Sequence, residues 1–381
     1  MAWRRPRRRG SAPGTALLGL ALVGAGQAFD LPGLYPAGVA LTALAAGAVA
    51  WVGVAARGAS VHREVVARRV VEGEPVELRV VGRPGRLALP GGELRDPLLA
   101  RGMPVRPGAR SAAVRIQARF ARRGRRRLAA PQLVISDPLG LAVRTVAAVR
   151  GDELLVLPRI EPVRVMPGGA GVLQRSRAAR PVPAAEADLD RLAAYQPGTP
   201  ASRIHWPTLA RGAGLHERRL QGDVESRPLV VLDARPGAVD AVQAQARLDA
   251  AVRAAASLLR WLAQPAGAQL VIGSERRPHP VGPDLGGWGA AHARLALVEP
   301  TATAPGLGAL TGRSGTVFYV AADASSLPLG VLAAAGASVV LVVPGGLPGG
   351  LPAGRAAFSV GGCQGHVLHR AARARRRRVA A

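Results

Sequence analysis

Between Ser11 and Ala56 the chain carries a single charge, Asp30. Ser11–Phe29 and Leu31–Ala56 are uncharged, and the turn formers Pro32, Gly33 and Pro36 stand at their junction. A bilayer-crossing helix needs about 20 predominantly apolar residues, since every backbone polar group in hydrocarbon must bond internally. The pattern predicts two short spans joined by a tight loop, with Pro13 and Gly14 confining the clean core of the first to Thr15–Phe29. A cleaved signal peptide is the competing reading, given a basic start, a short apolar run and small residues at Gly26 and Ala28. Arginines precede the first span, and Arg57, Arg63, Arg68 and Arg69 follow the second. Basic flanks stay cytoplasmic, so the expectation is a two-pass cell-membrane protein with cytoplasmic soluble domains.

The net charge of +27 invites a nucleic-acid reading, yet all 51 basic residues are arginine and the sequence holds neither Lys nor Asn. Both missing residues have A-rich codons, so a GC-rich genome gives the same bias. Sixteen of the arginines cluster in Arg4–Arg9, Arg122–Arg127 and Arg370–Arg378, which leaves 35 against 24 acids elsewhere. With 3% aromatic residues, the chain has few bases' worth of stacking platform, and no specific nucleic acid is expected as a partner. The Arg375–Arg378 run would either be a solvated tail or touch anionic lipid. Cys363 is the only cysteine, so no intrachain disulfide forms. Cys363, His366 and His369 spell a C-x-x-H-x-x-H that lacks a fourth zinc ligand nearby.

From Val61 to Pro162 the apolar period is two. Val76, Leu78 and Val80 alternate with Glu77 and Arg79, and Val114, Ile116, Ala118 and Phe120 alternate with Arg115, Gln117 and Arg119. Half-buried strands read this way. Arg122–Arg127 is placed at a hairpin, and Ser136–Leu141 turns the chain into its next strand. After Pro228 continuous apolar strands alternate with helices, which predicts a parallel sheet covered on both faces. Asp233 closes the first strand, and Asp240–Gln264 is a helix with Val242, Leu248, Val252, Leu259 and Leu262 on one face and an Asp249–Arg253 pair outside it. Ligands of such sheets bind beyond the carboxyl ends of the strands, where Asp233 and Asp323 fall.

The expected order is a basic tail and two transmembrane helices (1–57), a β-rich module (61–162), a linker (163–187), a motif-rich segment (188–228), an α/β domain (229–369) and an Arg-rich tail (370–381). The fold class is thus multidomain: a transmembrane α-hairpin, a small β-sandwich-like module and a C-terminal Rossmann-like α/β domain.

Two stretches, "RRGRRRLAAPQLVISDPLGL" and "YQPGTPASRIHWPTLARGAGLHERR", carry a resemblance. Together they are similar to domain-of-unknown-function family 58, bacterial membrane proteins with two N-terminal spans, a β region, this core motif and a von Willebrand factor type A-like domain. The resemblance implies a non-enzymatic scaffold or adaptor that works with a MoxR-type AAA+ ATPase and a transglutaminase-like membrane protein in assembling or maturing other proteins. It carries no cofactor. Thr199, Pro207 and Leu209 depart from the family pattern, where an acidic residue, a basic residue and a serine stand. Metal-binding type A domains hold Mg²⁺ with D-x-S-x-S at the end of the first strand, whereas this chain reads Asp233, Ala234, Arg235, Pro236, Gly237. Asp233 and Asp323 are therefore degenerate metal candidates, and a Mg²⁺-dependent ligand-binding domain is the alternative function. A basic protein that binds nucleic acid or anionic lipid is the second alternative.

Ser202, His205 and Glu217 can be spelled into a triad, but no strand-turn-helix elbow surrounds Ser202, so no catalytic residue is assigned. The motif's binding candidates, toward a partner or a neighbouring domain, are Tyr195, Pro197, Gly198, Arg203, Ile204, His205, Trp206, Arg211 and Glu217. Trp206 and Ile204 read as apolar anchors, Pro197-Gly198 as a turn, and Arg203 and Arg211 as donors for Glu217, Asp223, Glu225 or backbone carbonyls. Trp and Arg are also the residues most enriched at binding hot spots, which favours a partner surface as the second reading.

Overall fold

The computed structural model describes residues 11–177, 189–195, 204–212, 214–220, 227–306, 315–334, 338–347 and 353–368. It divides into two compact units, Met1–Ala121 with Arg125–Val156, and Arg122–Gly124 with Leu157–Ala381.

The first unit opens with α1 (Ala12–Ala28) and α2 (Leu34–Ala56), an apolar helix pair. Only α2, among the described helices, is long and apolar enough to cross a membrane. The 17 residues of α1 rise about 25 Å, short of the roughly 30 Å hydrocarbon core. The pair packs at backbone distance: a Cβ on Gly19 would sit 2.7 Å from the Gly38 carbonyl oxygen, and one on Gly38 would sit 2.6 Å from that of Gly19.

Ten strands follow: β1 (Ser60–Val65), β2 (Arg69–Val71), β3 (Pro75–Arg83), β4 (Gly92–Arg95), β5 (Met103–Val105), β6 (Ala112–Arg119), β7 (Gly124–Leu128), β8 (Gln132–Ser136), β9 (Val143–Ala147) and β10 (Asp152–Leu157). They form three small sheets, in orders β1-β3-β6, β2-β10-β7 and β5-β4-β8-β9. Alternation in β3 buries Val76, Leu78 and Val80 and exposes Glu77 and Arg79, as period-two sequence requires. The expected hairpin at Arg122–Arg127 does not form, because β6 and β7 belong to different sheets. Where β8 does pair with β9, Asp137 closes the turn, its carboxylate accepting from the amides of Leu139 at 2.9 Å and Ala142 at 2.5 Å. One core joins the sheets to Ala45, Ala48, Val52 and Ala55 of α2 and to Ala12 of α1. Within it Arg63, whose side chain is fully buried, donates to Asp96 at 2.6 Å, to Asp152 at 2.9 Å and to the Ala129 carbonyl at 2.9 Å. Charges leave water only when paired and hydrogen-bonded in this manner.

The second unit contains β11 (Arg164–Val165), α3 (Ala170–Arg177), β12 (Leu189–Ala194), α4 (Trp206–Ala210), β13 (His216–Leu220), β14 (Leu229–Asp233), α5 (Ala241–Ala266), β15 (Ala268–Ile272), β16 (His279–Val281), α6 (Trp288–Ala296), β17 (Val317–Ala321), α7 (Leu329–Ala334), β18 (Val339–Pro344), β19 (Ala353–Val360) and β20 (Cys363–Leu368). The described part of the segment expected to be a linker carries regular structure: β11 joins the sheet edge, and α3 seats Leu173 in the core. Its Arg177 guanidinium lies 4.5 Å from the Trp261 ring centroid, a cation–π contact.

The eight-stranded sheet runs β11-β19-β20-β18-β17-β14-β15-β16. Its centre, β15-β14-β17-β18, is parallel. The expectation of a parallel sheet fails at both edges: β16 and β20 run against the core strands, and β19 and β11 continue that edge in antiparallel pairs. The β19–β20 hairpin turns on Gly361 and Gly362, at φ of 60° and 80°, the positive values a two-residue turn of this hand demands.

α5 starts where the Asp240 carboxylate accepts from the Val242 and Gln243 amides, each at 2.9 Å. Leu248, Val252, Leu259 and Leu262 are buried against the sheet, but Val242 is 80% exposed. Six residues at 100° each carry Val242 to another side of the helix from Leu248. Asp249 is not outside the core either. It is buried, takes Arg122, Arg123 and Gln245 on its carboxylate, and accepts from Arg253 on its own backbone carbonyl. Tyr319, Leu341 and Val231 face the opposite side of the sheet with Leu332 of α7.

Candidate functional site

In the parallel core, β14 connects through α5 to β15 on one side, while β17 and β18 add on the other. Sheets wound outward from a central first strand leave a crevice beyond the carboxyl ends of the strands at that divergence, and ligands bind there. Asp233 ends β14, and its register partner on β17 is Ala321, two residues before Asp323. Both predicted carboxylates therefore reach the switch point.

Asp233 is wholly buried and saturated with donors. Arg235 gives Nε to Oδ1 and Oδ2 at 3.0 and 3.1 Å and Nη2 to Oδ2 at 2.6 Å. The Arg235 amide donates to Oδ1 at 3.1 Å, and the Tyr319 hydroxyl donates to Oδ2 at 2.7 Å. A carboxylate offers about four lone-pair directions, so these donors occupy them all. The hydrogen bond to Asp233 holds the Arg235 guanidinium more firmly protonated than usual, against the opposing effect of burial. Burial, reinforced by the Asp233 charge, pushes the Tyr319 phenol well above its ordinary range, so it stays a donor.

Asp323 follows the same logic one strand over. Its Oδ1 accepts the Ser325 amide at 2.7 Å and the Ser325 hydroxyl at 2.6 Å, capping a short 3-10 turn at Ala324–Ser326. Its Oδ2 pairs with the Arg247 guanidinium from α5. Burial alone would raise the Asp323 pKa, but the Ser325 bonds and the Arg247 charge outweigh it, and the pKa lies below the ordinary carboxylate range. Gly237 passes directly over this carboxylate, where a Cβ would fall 2.1 Å from Oδ2.

Two carboxylates thus face two guanidinium groups of the same chain. Mg²⁺ asks for near-octahedral oxygen donors with several retained waters, and here the oxygens are already committed to N–H and O–H donors. The donor set does not fit the ion. Among the described residues no three His, Cys, Asp or Glu side chains gather as a metal group. Cys363 and His366 lie three apart on β20, hence on opposite faces, and His369 lies outside the described residues. The Cys363 thiol is fully buried, and burial pushes its pKa up to about 12.

The motif-rich segment forms a separate piece of structure. β12 and β13 pair antiparallel, with Ala193 opposite Glu217 and the Tyr195 amide bonded to the Leu215 carbonyl at 3.0 Å. α4 follows Ile204, which is buried, and His205, whose ring pairs with the Thr208 hydroxyl at the helix start and whose amide donates to the His216 carbonyl at 2.8 Å. Trp206 is not an interior anchor: it is 57% exposed, and Leu209, Leu215 and Arg211 also reach the surface. Pro197, Gly198, Ser202, Arg203, Asp223 and Glu225 lie outside the described residues.

Sequence reasoning reached Asp233, Arg235 and Asp323 and missed Arg247, Tyr319 and Ser325. The D-x-S spacing of Asp323 and Ser325 was a usable cap signal. Nothing distinguishes Arg247 from the other arginines of the helix until the fold brings it to Asp323. In comparisons with known proteins, no family model matches the chain and no curated protein does.

Proposed function

We propose that the chain is a non-enzymatic, membrane-anchored adaptor whose α/β unit is a von Willebrand factor type A-like domain working without a metal. The observation that carries this reading is the pairing of Asp233 with Arg235 and of Asp323 with Arg247 at the switch point. A site whose carboxylates are neutralised internally needs no cation to be stable and offers no open coordination position to a substrate. The sheet order β15-β14-β17-β18 supports the type A-like assignment. The apolar helix pair supports membrane attachment, and the arginines that flank it in sequence favour two retained helices with the chain after Ala56 on the cytoplasmic side. The resemblance of the motif-rich segment to domain-of-unknown-function family 58 supplies the partner class, a MoxR-type AAA+ ATPase, and exposed Trp206 is the residue such a partner would bury.

Affinity capture of the full-length protein from its native membranes, with and without nucleotide, tests the partner. Enrichment of an AAA+ ATPase over a Trp206→Ala control supports the adaptor; equal recovery on both baits removes it. Magnesium titration with a thermal-shift readout tests the metal-free domain: a large Mg²⁺-dependent stabilisation abolished by Asp233→Ala would overturn it.

A further inference from the structure

Within the first unit, the helix pair and the β module meet at one level. The Ala12 amide, in the first turn of α1, donates to the Leu141 carbonyl at the end of the β8–β9 turn at 2.9 Å. The N-terminal end of α1 therefore abuts this turn. The turn is rigid: the buried Asp137 carboxylate holds the amides of Leu139 and Ala142, while Leu141 and Ala142 are core residues. What this rigidity presents outward is Leu139, 66% exposed. Leu139 is thus an apolar side chain held at the tip of a turn that the Asp137 hydrogen bonds fix. One strand on, Arg144 of β9 is exposed and its Nη1 lies 4.0 Å from where a Cβ of Gly53 would be, beside the last turns of α2. On that same stretch of helix Trp51 is 46% exposed, and Arg57 follows as the exposed C-cap. In sequence, Arg4–Arg9 run directly into Ser11 at the start of α1.

An apolar tip, an amphipathic aromatic and the guanidinium groups of Arg57 and Arg144 beside the same end of the helix pair match the layering of a bilayer surface, where Trp sits at the headgroups and arginines pair with lipid phosphates. We propose that the β8–β9 turn, with Leu139 and Arg144, is a membrane-surface contact that seats the β module on anionic phospholipid. This rests on the helix pair being embedded. Leu139 inserts shallowly below the phosphates, and Arg144 and Arg57 bind them. The surface recognises the phosphodiester charge, not a particular headgroup, because guanidinium–phosphate pairing is the only polar chemistry it offers.

The test uses the full chain with Cys363→Ala, reconstituted in phosphatidylcholine bilayers with or without phosphatidylglycerol, and one environment-sensitive fluorophore on Leu139→Cys or on Leu20→Cys, an exposed position of α1. Lipids spin-labelled at the headgroup or the acyl chain serve as quenchers. The expected result is acyl-chain quenching of the probe at 20 in both bilayers, and headgroup-level quenching at 139 that rises with phosphatidylglycerol. Arg144→Glu should reduce the immersed fraction at 139 about fivefold while the probe at 20 is unchanged. Quenching at 20 with a water-exposed probe at 139 in phosphatidylglycerol overturns the surface contact alone. Immersion at 139 that ignores phosphatidylglycerol and Arg144→Glu overturns the phosphate recognition. A water-exposed probe at 20 overturns the embedding of the helix pair and the contact with it.

Discussion

Arg247, in the second turn of α5, forms an ion pair with Asp323, just past the end of β17. The pair ties the long helix to the switch-point loop, with the Ser325 amide and hydroxyl on the other carboxylate oxygen. Because the folded-state pKa of Asp323 lies below that of the unfolded chain, its contribution to stability is present above roughly pH 4 and is lost as the pH falls through the folded value. Asp323→Asn should cost about 1 kcal/mol at pH 7, a modest figure because Arg247 is well solvated, and almost nothing at pH 2. Urea unfolding of the two proteins at both pH values measures the difference.

His292 reports on pH from the other direction. Its Nε2 lies 2.8 Å from the Pro158 carbonyl oxygen, and its ring stacks on Trp288 at 4.7 Å between centroids. Burial lowers its pKa more than the carbonyl bond raises it, and Arg260 lowers it further. The unfolded chain therefore takes up a proton first as the pH drops below about 6.5, and the fold loses stability from that point down to the folded pKa. His292→Gln keeps a donor for Pro158 and does not titrate. Comparing unfolding midpoints at pH 7.5 and pH 5 should show a smaller acid loss in the variant.

Gly237→Ala places a methyl group against the Asp323 carboxylate. The carboxylate is fixed by Ser325 and Arg247, so it cannot swing aside without breaking a bond. Overpacking of this kind costs about 1–3 kcal/mol. Calorimetry should find the loss largely removed when Asp323→Ala is added, since the two changes share one cause.

Arg63→Met would strand Asp96, whose side chain is fully buried. Breaking a buried pair from one side costs about 3–5 kcal/mol, far more than the net worth of the pair. Replacing Asp96 and Asp152 by Asn in the same variant should restore a large part of that, as read by thermal unfolding in detergent.

Trp206→Ala is expected to change unfolding free energy by no more than about 0.5 kcal/mol, because the ring already faces water. A loss several times larger would place the indole in a packed core and count against its role in docking.

How far the sequence discloses all this depends on the range of the interaction. Local pattern was enough for α1 and α2, for the alternation of β3, and for the extent of α5, since each is decided by residues within a turn or two. Asp233 and Asp323 could be placed because apolar strands announce where they end. Asp249 misled: its i+4 neighbour is Arg253, yet the carboxylate pairs with Arg122 and Arg123, whose approach no periodicity encodes. Tyr319 sat unnoticed inside an apolar run, since a phenol in a strand looks like any aromatic until its hydroxyl has a partner. The antiparallel edges escaped for a related reason: β20 is too polar to read as a core strand, and direction is set by which neighbour it meets.

That neighbour also sets a timetable. Arg164 on β11 lies opposite Ser359 on β19. During synthesis the first of these strands leaves the ribosome long before the second exists, and β18 meanwhile presents an open edge until β20 emerges to cover it. Nascent chains in that interval carry an unpaired, strongly apolar strand, the condition under which sheets join to other chains.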